Sequence, residues 1–207
     1  MENRKGYQAI IDMKKLLFAI LIMGVTVSCS RSGWTSDESK LILGGEGLMR
    51  VLTVDDPADS VVLRTPSAMM SPAELKAPEY EALARRMVIT VTDPSQDGVG
   101  IAGPQVGVLR RVVAVQRFDK EGEPFEVYPN IRIVERRGEQ VCGPEGCLSV
   151  PGKRGNVLRW RDIDIVYTSL ETMQDTLENV QGFTAVIFQH ECDHLDGVIY
   201  TDKLDLQ

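Results

Sequence analysis

His190 and His194 are the only two histidines in the chain, and they stand four residues apart in Gln189-His190-Glu191-Cys192-Asp193-His194. On a helix that spacing puts both rings on one face, about 5–6 Å apart at Cβ. Two neutral imidazoles at that separation can chelate one metal ion. Glu191, beside the first of them, carries the carboxylate that metal-dependent hydrolysis needs near an activated water. Cys192 lies two residues from each His, so on a regular helix it faces away and packs in the core. Asp193 and Asp196 are expected to face solvent or to cap the helix. A catalytic site of this kind uses three protein ligands and keeps one position for water. Thirteen residues follow His194, and none is His, Cys or Glu. The third ligand is therefore expected upstream. Cys147 is the candidate, inside Gly143-Pro144-Glu145-Gly146-Cys147-Leu148-Ser149-Val150-Pro151, where glycines allow close backbone approach.

These groups need elements to hold them. Phe183 to Leu195 reads as a helix, with Phe183, Val186, Ile187 and Leu195 around a polar stripe and Gly197 as its stop. Asn179 or Gln181-Gly182 marks its start poorly. Ser71-Pro72 is a good helix start. Pro78 delays or restarts that helix, which then runs through Ala82, Leu83, Met87, Val88 and Val91. Asp93 to Gly98 reads as a loop. Val112–Phe118, a turn at Lys120–Glu123, and Phe125–Val134 read as strands, as does Asp162–Leu170. Strands followed by one buried helix indicate an α+β domain. The expected architecture is antiparallel sheets packed around a central metal-binding helix.

The composition narrows the function classes. Hydrophobic residues make up 43% and charged residues 26% of 207 residues, which excludes a disordered or collagen-like chain. A net charge of −7 leaves no basic surplus for phosphates, so no nucleic-acid partner is expected. Four cysteines are too few for a disulfide-built scaffold.

Three segments, in order, resemble the three motifs of the peptide deformylases: Gly98-Val99-Gly100-Ile101-Ala102-Gly103-Pro104-Gln105, Glu145-Gly146-Cys147-Leu148-Ser149, and Gln189 to His194. The similarity runs from about Met49 to Leu204. It implies a metallohydrolase that removes formate from N-formylmethionyl peptides or nascent chains, with water at the metal attacking the formyl carbonyl. Its one divalent ion would be Fe²⁺ in vivo, with Ni²⁺, Co²⁺ or Zn²⁺ able to take its place. The resemblance makes Cys147, His190 and His194 the ligands and Glu191 the general base and acid. It assigns oxyanion stabilisation to the Leu148 backbone N–H and the Gln105 amide, and backbone hydrogen bonds to Gly100. Val99, Leu148, Phe183, Val186 and Ile187 would line the methionine pocket. Arg154 and Arg159 are candidates for substrate contacts or for support of the ligands. Two departures stand out. Ala102-Gly103 replaces the usual Ala-Ala, which is expected to loosen the loop, and the chain ends at Gln207 without the further C-terminal helix of many members.

The N-terminus reads as an address. Lys14 and Lys15 precede the apolar run Leu16–Val27, too short for a spanning helix of about 20 residues, and Ser28-Cys29-Ser30 follows. This resembles a bacterial lipoprotein signal, with Thr26 where Leu is usual and Met13 as an alternative start. The expected organisation is a signal peptide over residues 1–28 with cleavage before Cys29, a flexible tether over 29–47, and a catalytic domain over 48–207. The protein would then be exported and membrane-bound only through a lipid on Cys29; without a working signal it would be cytoplasmic. Two other readings compete with a deformylase. One is an exported metallo-amidase or peptidase. The other is a structural zinc protein in which Cys142 closes a four-ligand site; otherwise Cys142 is expected as a small buried residue.

Overall fold

The computed structural model describes residues 33–96 and 98–205. The signal, Cys29 and Met13 lie outside them. Four short helices come first: α1 (Ser36–Leu43), α2 (Pro57–Leu63), α3 (Pro72–Leu75) and α4 (Pro78–Val91). Their starts follow from local chemistry. Thr35 and Ser71 each form a reciprocal cap with a Glu three residues on, and Asp56 caps α2 ahead of Pro57. Pro78 does restart the helix, because its ring occupies the first turn, where no amide donor is needed.

The α1 segment corrects the expected tether. Residues 36–43 are helical, and Ile42 is fully buried. Trp34 Nε1 donates to the Glu74 carbonyl at 3.1 Å. Arg110 binds Gly33 O, both Glu38 oxygens and Glu74, with its guanidinium 5.1 Å from the Trp34 ring. Arg86 reaches four backbone carbonyls between Leu41 and Leu48. The segment is mostly polar and glycine-rich, but Trp34 and Ile42 give it a face to bury.

Two antiparallel three-stranded sheets follow. The first is β1 (Gly100–Ala102), β2 (Val112–Gln116) and β3 (Phe125–Pro129); the second is β4 (Arg132–Cys147), β5 (Val150–Thr168) and β6 (Asp175–Gln181). Helix α5 (Gly182–Leu195) packs against both. Val113 and Val115 from β2, Ile163 and Ile165 from β5, and Ile187, Phe188, Cys192 and Leu195 from α5 share one core. Alternate β2 residues, Val112 and Ala114, face the other way onto Leu83, Met87 and Val91 of α4. That is why β2 is apolar on both faces. Arg117, 1% exposed, ties the sheets together by pairing with Asp119, Tyr128 and, at 2.7 Å, Glu178 of β6.

The α+β expectation holds, with three local corrections. Phe125–Val134 is two strands, split at Asn130, whose φ of 56° breaks the pleat and whose amide bridges Met70 N and O. The hairpin β4–β5 extends to Cys147 and Val150, far beyond the expected Asp162 start, and β6 is a further strand without an apolar pattern in the sequence. Charged and Gly-rich strands facing water lack an apolar alternation to read. Gly103 does not loosen its loop: a Cβ there would lie 2.7 Å from the carbonyl oxygens of both Val108 and Arg110. No helix of the described residues is long and apolar enough to cross a membrane.

Candidate metal centre

Helix α5 begins at Gly182, with φ of 68°, and is buried on nearly every side. It presents His190 and His194 to the turn between β4 and β5, where Cys147 sits. One donor atom from each of Cys147, His190 and His194 lies within 4.8 Å of the others. Cys147 Sγ is 3.1 Å from His194 Nε2. A thiolate and two imidazoles suit a borderline-soft divalent ion, so this donor set fits a single metal.

The supporting shell is charged and buried. Glu145 Oε2 lies 2.8 Å from His190 Nδ1, a contact that fixes the orientation of the ring. Arg159 donates to both Glu145 oxygens at 2.7 and 3.0 Å and to Asp193 at 2.6 Å, and Lys203 binds Asp193 at 2.7 Å. Burial alone would raise the Glu145 carboxyl, but its bonds to His190 and Arg159 outweigh burial and hold it at about 2. Tyr200 stacks on His190 with ring centroids 6.0 Å apart. Burial drives His194 well below the usual imidazole range, so it is neutral and able to ligate.

Glu191 is 3% exposed, and its Oε2 has no hydrogen-bond partner among the described residues. Desolvation is the main cause that pushes its carboxyl up to about 7. Strand β1 passes so close that a Cβ on Gly100 would lie 2.5 Å from Glu191 Oε1 and 2.8 Å from Ile187. Only glycine lets the strand edge approach the carboxylate. Gln105 Oε1 accepts from Ala102 N at 2.8 Å, which orients the amide. Its Nε2 then points to Ser149 Oγ (3.2 Å) and Cys147 Sγ (3.6 Å).

A cleft of about 780 Å³ opens over these groups. Gln105, Cys147, Leu148, His190 and Glu191 line it, together with Val99, Gly100, Phe183, Val186, Ile187 and Arg154. Arg159 is instead buried behind Glu145. Cys142 is exposed and free, its Sγ 3.6 Å from Asp205, and stands outside the donor cluster. The expectation of a small buried Cys142 is thus corrected, because its stretch of β4 has an open face. Among the described residues the cluster has three protein donors, not the four of a closed structural site. Asp193 is paired rather than solvated, whereas Asp196 is exposed and binds Arg111.

Sequence reasoning gave no role to Glu145, Ser149 or Tyr200. Glu145 had a signal, being the one acid in a Gly-rich apolar stretch two residues before the candidate ligand. Tyr200 had none, because only the chain's return past the helix brings it to His190.

A family model described as polypeptide deformylase matches residues 48–207. A peptide deformylase of Leptospira biflexa is 36% identical over 169 residues, covering 75% of this chain and 87% of the relative. Among solved structures, an actinonin-bound class I type b peptide deformylase from Acinetobacter baumannii is 33% identical with a TM-score of 0.66, covering 77% of this chain and 99% of that one. A Met-Ala-Ser-bound structure of the class I type b enzyme from the same organism is 32% identical with a TM-score of 0.66, covering 77% and 100%.

Proposed function

The chain belongs to the polypeptide deformylase family, and from that premise we infer how its own residues hydrolyse N-formylmethionyl peptides to formate and a free amine. The convergence of Cys147, His190 and His194 beside an otherwise unpartnered Glu191 is the observation that carries the assignment. Cys147, His190 and His194 hold one divalent metal. When bound, such a metal supplies Lewis acidity and brings the pKa of water toward about 7. Fe²⁺ is the proposed native ion, on the thiolate and imidazole donor set; Zn²⁺ or Ni²⁺ can occupy the same donors in a purified sample.

Glu191 accepts the proton from the attacking water as the new C–O bond forms. It then delivers that proton to the amine nitrogen as the C–N bond breaks. A carboxyl held near 7 can both take and return a proton at neutral pH. Negative charge on the formyl oxygen is met by Gln105 Nε2 and the Leu148 backbone N–H, each such donor being worth about 2.7–4 kcal/mol. Gly100 offers its backbone to the peptide, and Val99, Leu148, Phe183, Val186 and Ile187 form the apolar seat for the methionine side chain. The tripeptide in the Acinetobacter structure supports a cleft sized for a short peptide.

Residues 14–29 support export with Cys29 as a lipid attachment point, and the net charge of −7 supports peptides rather than nucleic acid as partners. Fatty-acid labelling that survives a Cys29→Ser change removes the anchor from this reading. The activity is tested with anaerobically purified protein. Formate release from formyl-Met-Ala-Ser, without cleavage of unformylated peptides, is expected; peptide-bond cleavage instead makes the chain a peptidase.

A further inference from the structure

The cleft has charged groups of both signs in its wall, and they are not equivalent. Its two acids, Glu145 and Glu191, are both buried, and Glu145 is committed to Arg159 and His190. Its two long cations, Lys153 and Arg154, are exposed at the mouth. Neither makes an ion pair or side-chain hydrogen bond with a described residue, whereas Arg50, Arg64, Arg110, Arg117, Arg137 and Arg159 are all paired with acids. In a chain of net charge −7, an uncompensated cationic pair at a cleft mouth makes a local positive field that draws anions.

Its position relative to the chemistry is also set. Arg154 stands directly across the hairpin from Gly146, the residue before Cys147. A Cβ on Gly146 would lie 3.6 Å from Arg154 Cγ, an ordinary contact distance, so the arginine stem runs alongside Gly146. An extended tripeptide spans roughly 10 Å. A formyl group at the donor cluster leaves the rest of such a peptide to extend along the same cleft, whose lining includes Lys153 and Arg154.

We propose that Lys153 and Arg154 form an anion subsite for the C-terminal carboxylate of short formylated peptides, so that free formyl tripeptides are favoured over longer or end-blocked chains. The guanidinium can take a carboxylate through two parallel N–H bonds, with the lysine adding a point charge. This rests on the deformylase reading and gives it a substrate class. It also accords with export, since a protein outside the cytoplasm meets released peptides rather than ribosomes.

The test compares kcat/KM for formyl-Met-Ala-Ser with that for its C-terminal amide, using metal-loaded full-length protein. The carboxylate is expected to be favoured about threefold or more at low salt, the scale of exposed ion pairs. The advantage should shrink as ionic strength passes about 0.15 M. K153Q/R154Q should bring the ratio to about one, and K153E/R154E should invert it. Binding of unformylated Met-Ala-Ser and its amide, followed calorimetrically, should show the same order without turnover. Equal kcat/KM for the two wild-type substrates at low salt overturns the subsite alone. Formate from neither peptide overturns the deformylase reading and the subsite with it.

Discussion

Glu191 and Glu145 are both buried carboxyls beside the proposed ligand His190, the first adjacent in sequence and the second 2.8 Å from its Nδ1, yet their surroundings separate them. Glu145 is saturated by Arg159 and His190 and stays ionised, so its part is to orient an imidazole. Glu191 has an oxygen without a partner among the described residues and a raised pKa, which suits the proton transfer proposed for it. Glu191→Gln is expected to keep the metal and lose about 10²–10⁴-fold in kcat. Metal content beside formate release checks this, and near-normal rates remove Glu191 from the reaction. Glu145→Gln should weaken metal binding by about 10–100-fold, as seen for other groups that orient a ligating histidine. A chelator titration reads this directly, and unaltered affinity would leave His190 oriented by packing alone. The donor cluster and the acid proposed to carry the proton were legible in the sequence because each is a rare residue type at a diagnostic spacing. Glu145 was visible but without a role, since nothing local says that it turns toward His190.

At the level of elements, the loop between β1 and β2 shows how closely the backbone constrains the site. Gly103 is enclosed by two carbonyl oxygens, and this loop carries Gln105. Gly103→Ala is expected to cost about 1–3 kcal/mol through overpacking. A lowered thermal midpoint would show it, and an unchanged midpoint would mean that the loop has slack. Helix α3 offers a pH test. Burial raises the Glu74 carboxyl, but the Ser71 cap bonds and Arg110 outweigh it and hold the folded-state pKa below 4.5. A depressed carboxyl stabilises the fold above its unfolded pKa, and that contribution is lost as pH falls through the folded value. Glu74→Gln should therefore lower the midpoint at pH 7, with the gap to wild type closing below about pH 4. A constant gap across pH would attribute Glu74's effect to packing. Caps and proline starts such as Ser71-Pro72 are local chemistry and could be read directly. The long β4–β5 hairpin could not, because its exposed faces carry charge rather than periodic apolar residues.

Over the whole molecule, α5 is held between two sheets, and the N-terminal segment from Gly33 is part of the folded body rather than a leash. A chain of residues 44–207 loses Trp34, Glu38 and Ile42 and leaves Arg110 without one of its two acid partners. Its thermal midpoint should fall by at least about 4 °C relative to residues 33–207; equal midpoints would show that this segment contributes nothing to stability. The sequence by itself determined the donor cluster, the acid proposed to carry the proton, and the family, because those depend on residue type and on short-range helical spacing. The tertiary structure alone decided that Cys142 stays outside the cluster, that Arg159 stands behind Glu145, that Arg154 reaches the cleft, and that residues 36–43 are docked. Each of these depends on contacts between residues far apart in the chain, and a charged or polar side chain reads alike in sequence whether it is solvated, paired or buried.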